Sequence, residues 1–280
     1  MGICVVCKNS ISNFQPFWSG LKKCCYCGHI MADIDTKKLE TKKLYNNKYF
    51  FGEEYCDYLR DRKVFDEQFK SRLSDIEKFQ PEGKLIEIGC AYGFFLAAAK
   101  ESYHVLGFDI AEEPTRYARD ILGMDARCQD FLDAQIEIQS TDIIAMWDVI
   151  EHLPRPDLVV DKVAKVLKSG GFLFITTGDI GSLIPKIKKE KWRLIHPPTH
   201  LHYFNRSTMT HMLEKAGLHI VDVRYVGTRR SIRQVAFSLL ALGRDKPSRV
   251  YDIIADSTLG DLSFVLNTFD IMLIVAQKLK

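Results

Sequence analysis

The chain has 280 residues, 46% hydrophobic and 27% charged, a globular composition that excludes fibrous, collagenous and disordered classes and is long enough for one or two domains with a sizeable core. Thirty-nine Lys and Arg against 36 Asp and Glu leave a net charge of +3, too small a surplus to point to nucleic acid by itself. The longest apolar runs, 235–242 and 271–276, fall well short of the roughly 18 residues a membrane span needs, and the start resembles neither a secretory leader nor a myristoylation signal, so a cytoplasmic protein is expected.

Five of the eight cysteines fall within the first 27 residues. Cys4 and Cys7 form one Cys-x-x-Cys pair and Cys24 and Cys27 a second, after sixteen intervening residues, with Gly28 following as a tight turn requires. Two such turns supply the four soft, tetrahedrally disposed thiolates that Zn²⁺ prefers, with no position left open for chemistry. The spacing therefore predicts a structural, zinc-ribbon-like module over residues 1–35, against the alternative of metal-free or redox-active thiols. Cys25 and His29 are candidate substitute ligands. Cys56, Cys90 and Cys128 are isolated in sequence and read as buried free thiols.

Residues 36–82 read as a linker and a helix. The segment 36–48 is rich in Lys, Thr and Asn, and over 53–79 the apolar residues Leu59, Val64, Phe65, Phe69, Leu73 and Ile76 recur at helical spacing until Pro81 ends the pattern.

After Gly83 short apolar runs alternate with helical stretches, the pattern of a mostly parallel sheet with helices on both faces. Strands are expected near 84–88, 104–109, 142–147, 171–176 and 218–226, with a last one at 270–276; helices are expected near 93–100, 114–122, 158–167 and 207–216. The first strand runs into Glu87-Ile88-Gly89-Cys90-Ala91-Tyr92-Gly93, where glycines at a strand-to-helix turn let backbone approach a ligand closely. Asp109 ends the next strand 20 residues after Gly89, where a carboxylate can accept from both hydroxyls of a ribose. The spacing Glu-x-Gly-x-x-x-Gly is not the Gly-x-Gly-x-x-Gly of pyrophosphate loops, which disfavours NAD and FAD.

These residues, with Gln129-Asp130-Phe131, the run from Trp147 through Asp148, Glu151 and His152 to Leu153, and Leu167-Lys168-Ser169-Gly170-Gly171, resemble the class I S-adenosylmethionine-dependent methyltransferases from Gly83 to the end of the chain. The resemblance implies an α/β, doubly wound, seven-stranded Rossmann-like sheet whose last strand is antiparallel. It implies that the methyl donor binds across the carboxyl ends of the strands, against Glu87, Gly89, Cys90, Ala91, Gly93, Asp109, Ile110 and Trp147. It further implies that Asp130 meets the adenine N6 and Phe131 its ring face. The sequence departs from the family at Ala91, where a third Gly is usual, and at Ser169, where Pro often stands. The order of cysteine pairs, linker, helix and core, followed by Trp192, His196-Pro197-Pro198, His200 and His202-Tyr203-Phe204, is similar to bacterial methyltransferases of surface-glycan and nucleotide-sugar biosynthesis. On that likeness residues 83–280 form the methyltransferase domain, with a lid insertion at about 180–205.

In open sheets of this kind the site lies at the carboxyl ends of the strands, which makes Asp148, Glu151 and His152 positional candidates. Methyl transfer from a sulfonium needs alignment and a base for the nucleophile's proton. His200 is the candidate general base, with His202 two residues on along an extended segment; Thr199 stands where related sugar methyltransferases carry Glu. His196, His200 and His202 together are an alternative metal set. The run Lys186, Lys188, Lys189, Lys191 and Arg193 around Trp192 is read either as a solvated face or as a lid meeting an acceptor phosphate, with the indole stacked on a ring. Arg229, Arg230 and Arg233 are a candidate anion or subunit contact, which leaves an oligomer open.

The expectation is thus a methyltransferase of polysaccharide biosynthesis acting on an oxygen of a sugar or nucleotide-sugar, with S-adenosylmethionine as donor and structural zinc. The alternatives are carbon methylation of a keto-sugar, a zinc-containing ribosomal RNA methyltransferase, and a non-catalytic protein that has kept the fold.

Overall fold

The computed structural model describes residues 3–10, 13–35, 50, 57–240 and 249–279. Cys56, the linker at 36–48 and the start of the 53–79 helix lie outside the described residues.

In chain order the elements are β1 (Phe14–Phe17), β2 (Leu21–Cys24), β3 (Ile30–Ala32), α1 (Arg62–Glu77), β4 (Gly83–Ile88), α2 (Phe94–Ala99), β5 (Tyr103–Asp109), α3 (Glu112–Asp120), β6 (Ala126–Cys128) and β7 (Thr141–Trp147). There follow α4 (Pro156–Val166), β8 (Leu167–Gly178), α5 (Leu183–Lys188), β9 (His202–Tyr203), α6 (Arg206–Lys215) and β10 (Leu218–Tyr225). The chain closes with β11 (Thr228–Ser231), α7 (Ile232–Leu240), α8 (Arg249–Ala255), β12 (Ser263–Leu266) and β13 (Ile271–Lys278).

Seven strands form the main sheet in the order β10-β13-β8-β7-β4-β5-β6. β13 is antiparallel to both of its neighbours, and the remaining pairs are parallel, so the expected α/β Rossmann-like methyltransferase sheet with an antiparallel last strand is present. The central strands are buried on both sides, as helices on both faces of a parallel sheet require. Strand alternation divides their side chains between two cores. Leu85, Ile143, Ala145, Phe172, Phe174 and Val275 pack with Ile76 of α1 and Phe95 of α2; Ile86, Ile88, Ile144, Met146, Leu173 and Ile175 pack with Val159, Val160 and Val163 of α4 and Met209 of α6. Pro156 opens α4 with Asp157 in its first turn, and Asn205 with Thr208 closes a capping box on α6, both favourable starts for a helix.

The structure departs from the sequence reading at β6, at Cys128 and at Trp192. β6 is a strand of only three residues, Ala-Arg-Cys, too short to show a period of two. Cys128 at its end is exposed, whereas Cys90 is buried as expected. β9, from far along the chain, pairs with β3 and extends the β1-β2-β3 meander of residues 1–35 to four strands. Cys4, Val5, Val6 and Cys24 share one buried cluster with Ile86, Phe204 and Met209, and Lys8 pairs with Asp157 at the start of α4.

Third, Trp192 does not stand free in the 180–205 segment. It is buried among Leu21, Ile30, Ile180 and Tyr203, and its Nε1 donates to Asp270 Oδ2 at 2.8 Å. Burial of so much apolar ring area outweighs exposure for stacking on a ligand. Asp270 also accepts from Arg193 Nη2 at 2.9 Å and from Thr268 Oγ1. Burial alone would raise the Asp270 carboxyl, but these donors and the Arg193 charge hold it below its ordinary 3.8. Asp270→Ala strands a buried indole N–H and is expected to cost about 1–3 kcal/mol of stability. A folded-state value below the unfolded one gives stabilisation that is present above the unfolded value and lost as pH falls through the folded one. The gap between wild type and Asp270→Ala in urea denaturation should therefore narrow below about pH 4; a gap independent of pH would contradict it.

Candidate active site

The β4–α2 turn is shaped by positive backbone angles. Gly89 has φ +79°, and a Cβ there would stand 2.4 Å from Val149 Cγ2, so both conformation and space demand glycine. Ala91 takes φ +42° without being glycine, a conformation that costs on the order of 1 kcal/mol. The cost is met by a tie: Ala91 N donates to Asp109 Oδ2 at 2.8 Å, and Ala111 N donates to Asp109 Oδ1 at 2.8 Å. The carboxylate is thereby fixed at the end of β5, each oxygen keeping a second lone pair for a ligand hydroxyl. Burial pushes the Asp109 carboxyl up against the pull of these amides.

The neighbouring residues have different tasks. Gly93 caps α2 at φ +73°, where a Cβ would lie 2.7 Å from Ala118 Cβ on α3, and a Cβ on Gly107 would meet the Cys90 sulfur at 2.7 Å. Gly93 and Cys90 thus serve close packing behind the turn. Glu87 is buried, and burial, then the Asp109 charge, pushes its carboxyl well above the ordinary range. Its Oε2 has no hydrogen-bond partner among the described residues.

A cleft opens at the carboxyl ends of β4, β5 and β7. Of the residues singled out from sequence, Gly89, Ala91, Asp109, Ile110, Asp130, Phe131, Trp147, Asp148 and His152 line it; Glu87, Cys90, Gly93, Glu151, His200 and His202 do not. Phe50 and Tyr58 also line the cleft, and no sequence motif marks either. Tyr58 stacks on Phe65 and Tyr92, with ring centroids 4.2 and 5.3 Å apart. Its position before α1 carries no motif, and only the packing of that segment over the sheet brings it to the site.

On the far wall Asp130 Oδ1 accepts from Leu132 N at 2.8 Å. Phe131 is buried edge-to-face against Phe108 at 5.6 Å. Lys162 Nζ lies 5.0 Å over the Phe131 ring and donates to the carbonyls of Phe131 and Leu132 at 2.6 and 3.0 Å, pinning this loop to α4. The fit to an adenosyl group rests on the fixed Asp109 carboxylate on one side and the anchored 130–131 loop on the other.

Beyond β7, Asp148 sits at φ +55°, held by its N–H to Thr176 O and Oγ1 at 3.1 and 3.0 Å. The turn Ile150–His152 then presents Glu151 and His152. Burial, then Asp148, raises the Glu151 carboxyl to about 8, and burial lowers His152 to about 4. His200 is buried against His152, ring centroids 4.6 Å apart, and its Nδ1 donates to Leu194 O at 2.8 Å. His202 is 1% exposed, and its Nδ1 meets His29 Nε2 at 3.0 Å. The pairing of β9 with β3 therefore turns His202 to the amino-terminal sheet and away from the cleft.

The predicted thiol set is assembled. Cys4 Sγ lies 3.6 Å from Cys27 Sγ and Cys7 Sγ 3.6 Å from Cys24 Sγ, and all four sulfurs fall within 4.8 Å of one another. A tetrahedral tetrathiolate zinc with 2.3 Å bonds places its sulfurs roughly 3.8 Å apart, so the residues fit that ion. The hydrogen bond from Cys4 pulls Cys27 down to about 5 and pushes Cys4 up. Neither substitute ligand belongs to the set, since Cys25 is exposed and His29 is engaged with His202. In the arginine cluster, Arg233 pairs with Asp61 and Asp261 at 2.8 and 2.5 Å, and Arg229 with Glu67 at 3.0 Å. Lys186, Lys188, Lys189 and Lys191 are exposed, a solvated face.

Residues 58–223 match a family model described as a methyltransferase domain. The chain is 30% identical over 167 residues to the ubiquinone biosynthesis O-methyltransferase of Xylella fastidiosa strain 9a5c, covering 54% of this chain and 68% of that protein. It is 27% identical over 175 residues to the protein of the same name from Coxiella burnetii strain Dugway 5J108-111, covering 54% and 71%. Among solved structures, a SAM-dependent methyltransferase from Archaeoglobus fulgidus aligns with a TM-score of 0.53 at 21% identity, over 79% of this chain and 99% of that one. The [4+2]-cyclase SpnF aligns with a TM-score of 0.53 at 17% identity, over 75% and 81%. A cyclase on the same scaffold means that the fold alone does not fix the reaction; the sequence match over the sheet and its turn does. The chain belongs to the methyltransferase domain family and is an S-adenosylmethionine-dependent methyltransferase.

Proposed function

We propose that this enzyme methylates an oxygen of a small sugar or nucleotide-sugar acceptor, and that Cys4, Cys7, Cys24 and Cys27 hold a structural zinc ion. The observation that carries the reading is the cleft itself, with the ribose-clamping Asp109 at one end and Asp148 and His152 at the other. The curated relatives are named as O-methyltransferases of ubiquinone biosynthesis, which supports small-molecule O-methylation. The sugar class rests on the order of cysteine pairs, core and His/Tyr-rich segment along the chain.

S-adenosylmethionine, when bound, supplies an electrophilic methyl on a sulfonium. Asp109 takes the ribose hydroxyls, and Gly89 and Ala91 bring backbone close to the donor. Ile110, Asp130 and Phe131 enclose the adenine, and Trp147 walls the cleft beside the turn. Asp148 and His152 face the acceptor. The base assignment passes from His200 to His152, since His152 lines the cleft and His200 stands behind it. Burial keeps the His152 ring neutral, the protonation state a general base needs. His152→Ala is expected to lower turnover by about 10²-fold or more with the affinity for S-adenosylhomocysteine unchanged. Product NMR after incubation with the donor and a panel of sugars and nucleotide-sugars tests the acceptor class. An O-methyl product supports the reading, a C-methyl product moves the reaction to carbon, and methylation confined to RNA refutes the sugar class.

A further inference from the structure

We propose that β12 is a dimerisation strand, along whose outer edge a second copy of this chain docks antiparallel about a two-fold axis. The excursion from β11 through α7 and α8 to β12 lies in sequence between β10 and β13, which are neighbours in the main sheet. Its outside is apolar: nine of the nineteen large hydrophobic side chains that stand exposed among the described residues fall between 239 and 269. They include Leu239, Val250 and Ile253 of the two helices and Phe264, Val265 and Leu266 of β12, all 42–72% exposed.

The backbone of this ribbon is satisfied on one side and open on the other. β11 and β12 pair only with each other, and a two-stranded ribbon is marginal in water without further support. On the β11 side the outward amides are taken up, Arg229 N donating to Gln68 Oε1 of α1 at 2.6 Å and Ser231 N to Gln234 Oε1 at 3.1 Å. On the β12 side the bond from Ile232 N to Leu262 O at 2.9 Å fixes the alternation. The main chain of Phe264 and Leu266 therefore faces β11, and that of Ser263 and Val265 faces outward. No strand among the described residues takes up that edge. The run Ser263-Phe264-Val265-Leu266 carries neither the charge nor the proline that keeps an exposed edge from pairing.

A second copy fits this edge in area and in hydrogen bonding. The nine side chains leave roughly 900 Å² uncovered, close to the about 800 Å² that each partner gives to a standard interface and beyond the few hundred Å² of a patch that a monomer normally shows. Two identical edges meet antiparallel across a two-fold axis. With Ser263 opposite Val265 of the second copy, the outward amides and carbonyls of both strands find partners. The two Phe264 residues then face each other as a non-hydrogen-bonded pair, with Cα atoms about 4.5 Å apart, and facing aromatic residues are a favourable cross-strand pair. β11, α7, α8 and β12 contribute nothing to the lining of the donor cleft, so binding of S-adenosylhomocysteine reports folding separately from dimerisation.

The test is the mass of the full-length protein by light scattering at micromolar concentration, with twice the mass of one chain as the expected result. Val265→Pro removes the outward N–H without touching a bond to β11, and Phe264→Lys sets like charges against each other across the axis. Each should weaken dimerisation at least 10-fold on dilution while S-adenosylhomocysteine binds as it does to wild type. Under mild oxidation Phe264→Cys should form a disulfide joining position 264 of two copies, since that Cα separation suits the bond, and mass spectrometry of the linked peptide identifies it. A wild-type monomer, an undiminished dimer in both Val265→Pro and Phe264→Lys, or absence of the disulfide would overturn the proposal. A monomer whose Val265 amide resists hydrogen exchange would assign the edge to another segment of the same chain; one whose amide exchanges freely would leave it to an unlike partner. If either disruptive variant loses S-adenosylhomocysteine binding, the disulfide alone decides.

Discussion

Asp109→Ala is expected to weaken binding of S-adenosylhomocysteine by roughly 10- to 100-fold, a loss of about 1–3 kcal/mol. Two effects add. The ribose hydroxyls lose their acceptor, and the amides of Ala91 and Ala111 lose the carboxylate that each now meets at 2.8 Å. The second effect matters because Ala91 holds a positive φ that nothing in its own side chain favours, so the turn relaxes once the tie is cut. Asp109→Asn keeps one carbonyl oxygen as acceptor and should lose less affinity than Asp109→Ala. Isothermal calorimetry of both variants checks this; equal and unchanged affinities would show that the clamp lies elsewhere.

The larger effect on stability is expected from Cys24→Ser. Cys24 is fully buried in the cluster that joins Val5 and Val6 to Phe204 and Met209, and its sulfur stands 3.6 Å from that of Cys7. Structural zinc bound by four thiolates contributes on the order of 10 kcal/mol to the fold that holds it, comparable with the whole stability of a domain. If the four thiols hold zinc as proposed, Cys24→Ser should reduce zinc content to near zero by elemental analysis. It should also expose the amides of β2, β3 and β9 to hydrogen exchange and lower the melting temperature by more than about 10 °C. Because Lys8 reaches Asp157 at the start of α4, and Leu153, Pro154 and Val159 line the cleft, donor affinity should fall as well. A variant with full zinc content and unchanged exchange would dismiss the thiol site.

The His152 variant probes a part of the site that sequence reasoning reached only by position. Asp148 and His152 line the cleft and Glu151 between them does not; the end of a parallel strand sets where the next few residues stand, but not which of their side chains face the cleft. Which ring turns inward was not legible. His200 and His202 are two apart on one extended segment, and alternation says only that they differ from or repeat each other's side. The partner strand β3 decides, by drawing His202 into the amino-terminal sheet. Trp192 is a similar case. A tryptophan within a basic run reads as exposed until a buried carboxylate, Asp270, contributed from 78 residues away, shows where its N–H goes.

The sequence by itself determined six of the seven strands of the methyltransferase sheet and the helices between them, the glycine at 89, the carboxylate at 109 and the four-cysteine set, but not the three-residue β6. Each of these is a local demand: apolar periodicity, a positive φ, a strand end, two tight turns with soft ligands. Only the tertiary structure decided that residues 1–35 share a core with the methyltransferase sheet. It alone brought Glu151, His152 and His200 together from segments almost fifty residues apart in the chain, and brought Tyr58 to the cleft. Contacts of that range depend on how separate elements pack against one another, and such packing leaves no periodic trace in either segment alone.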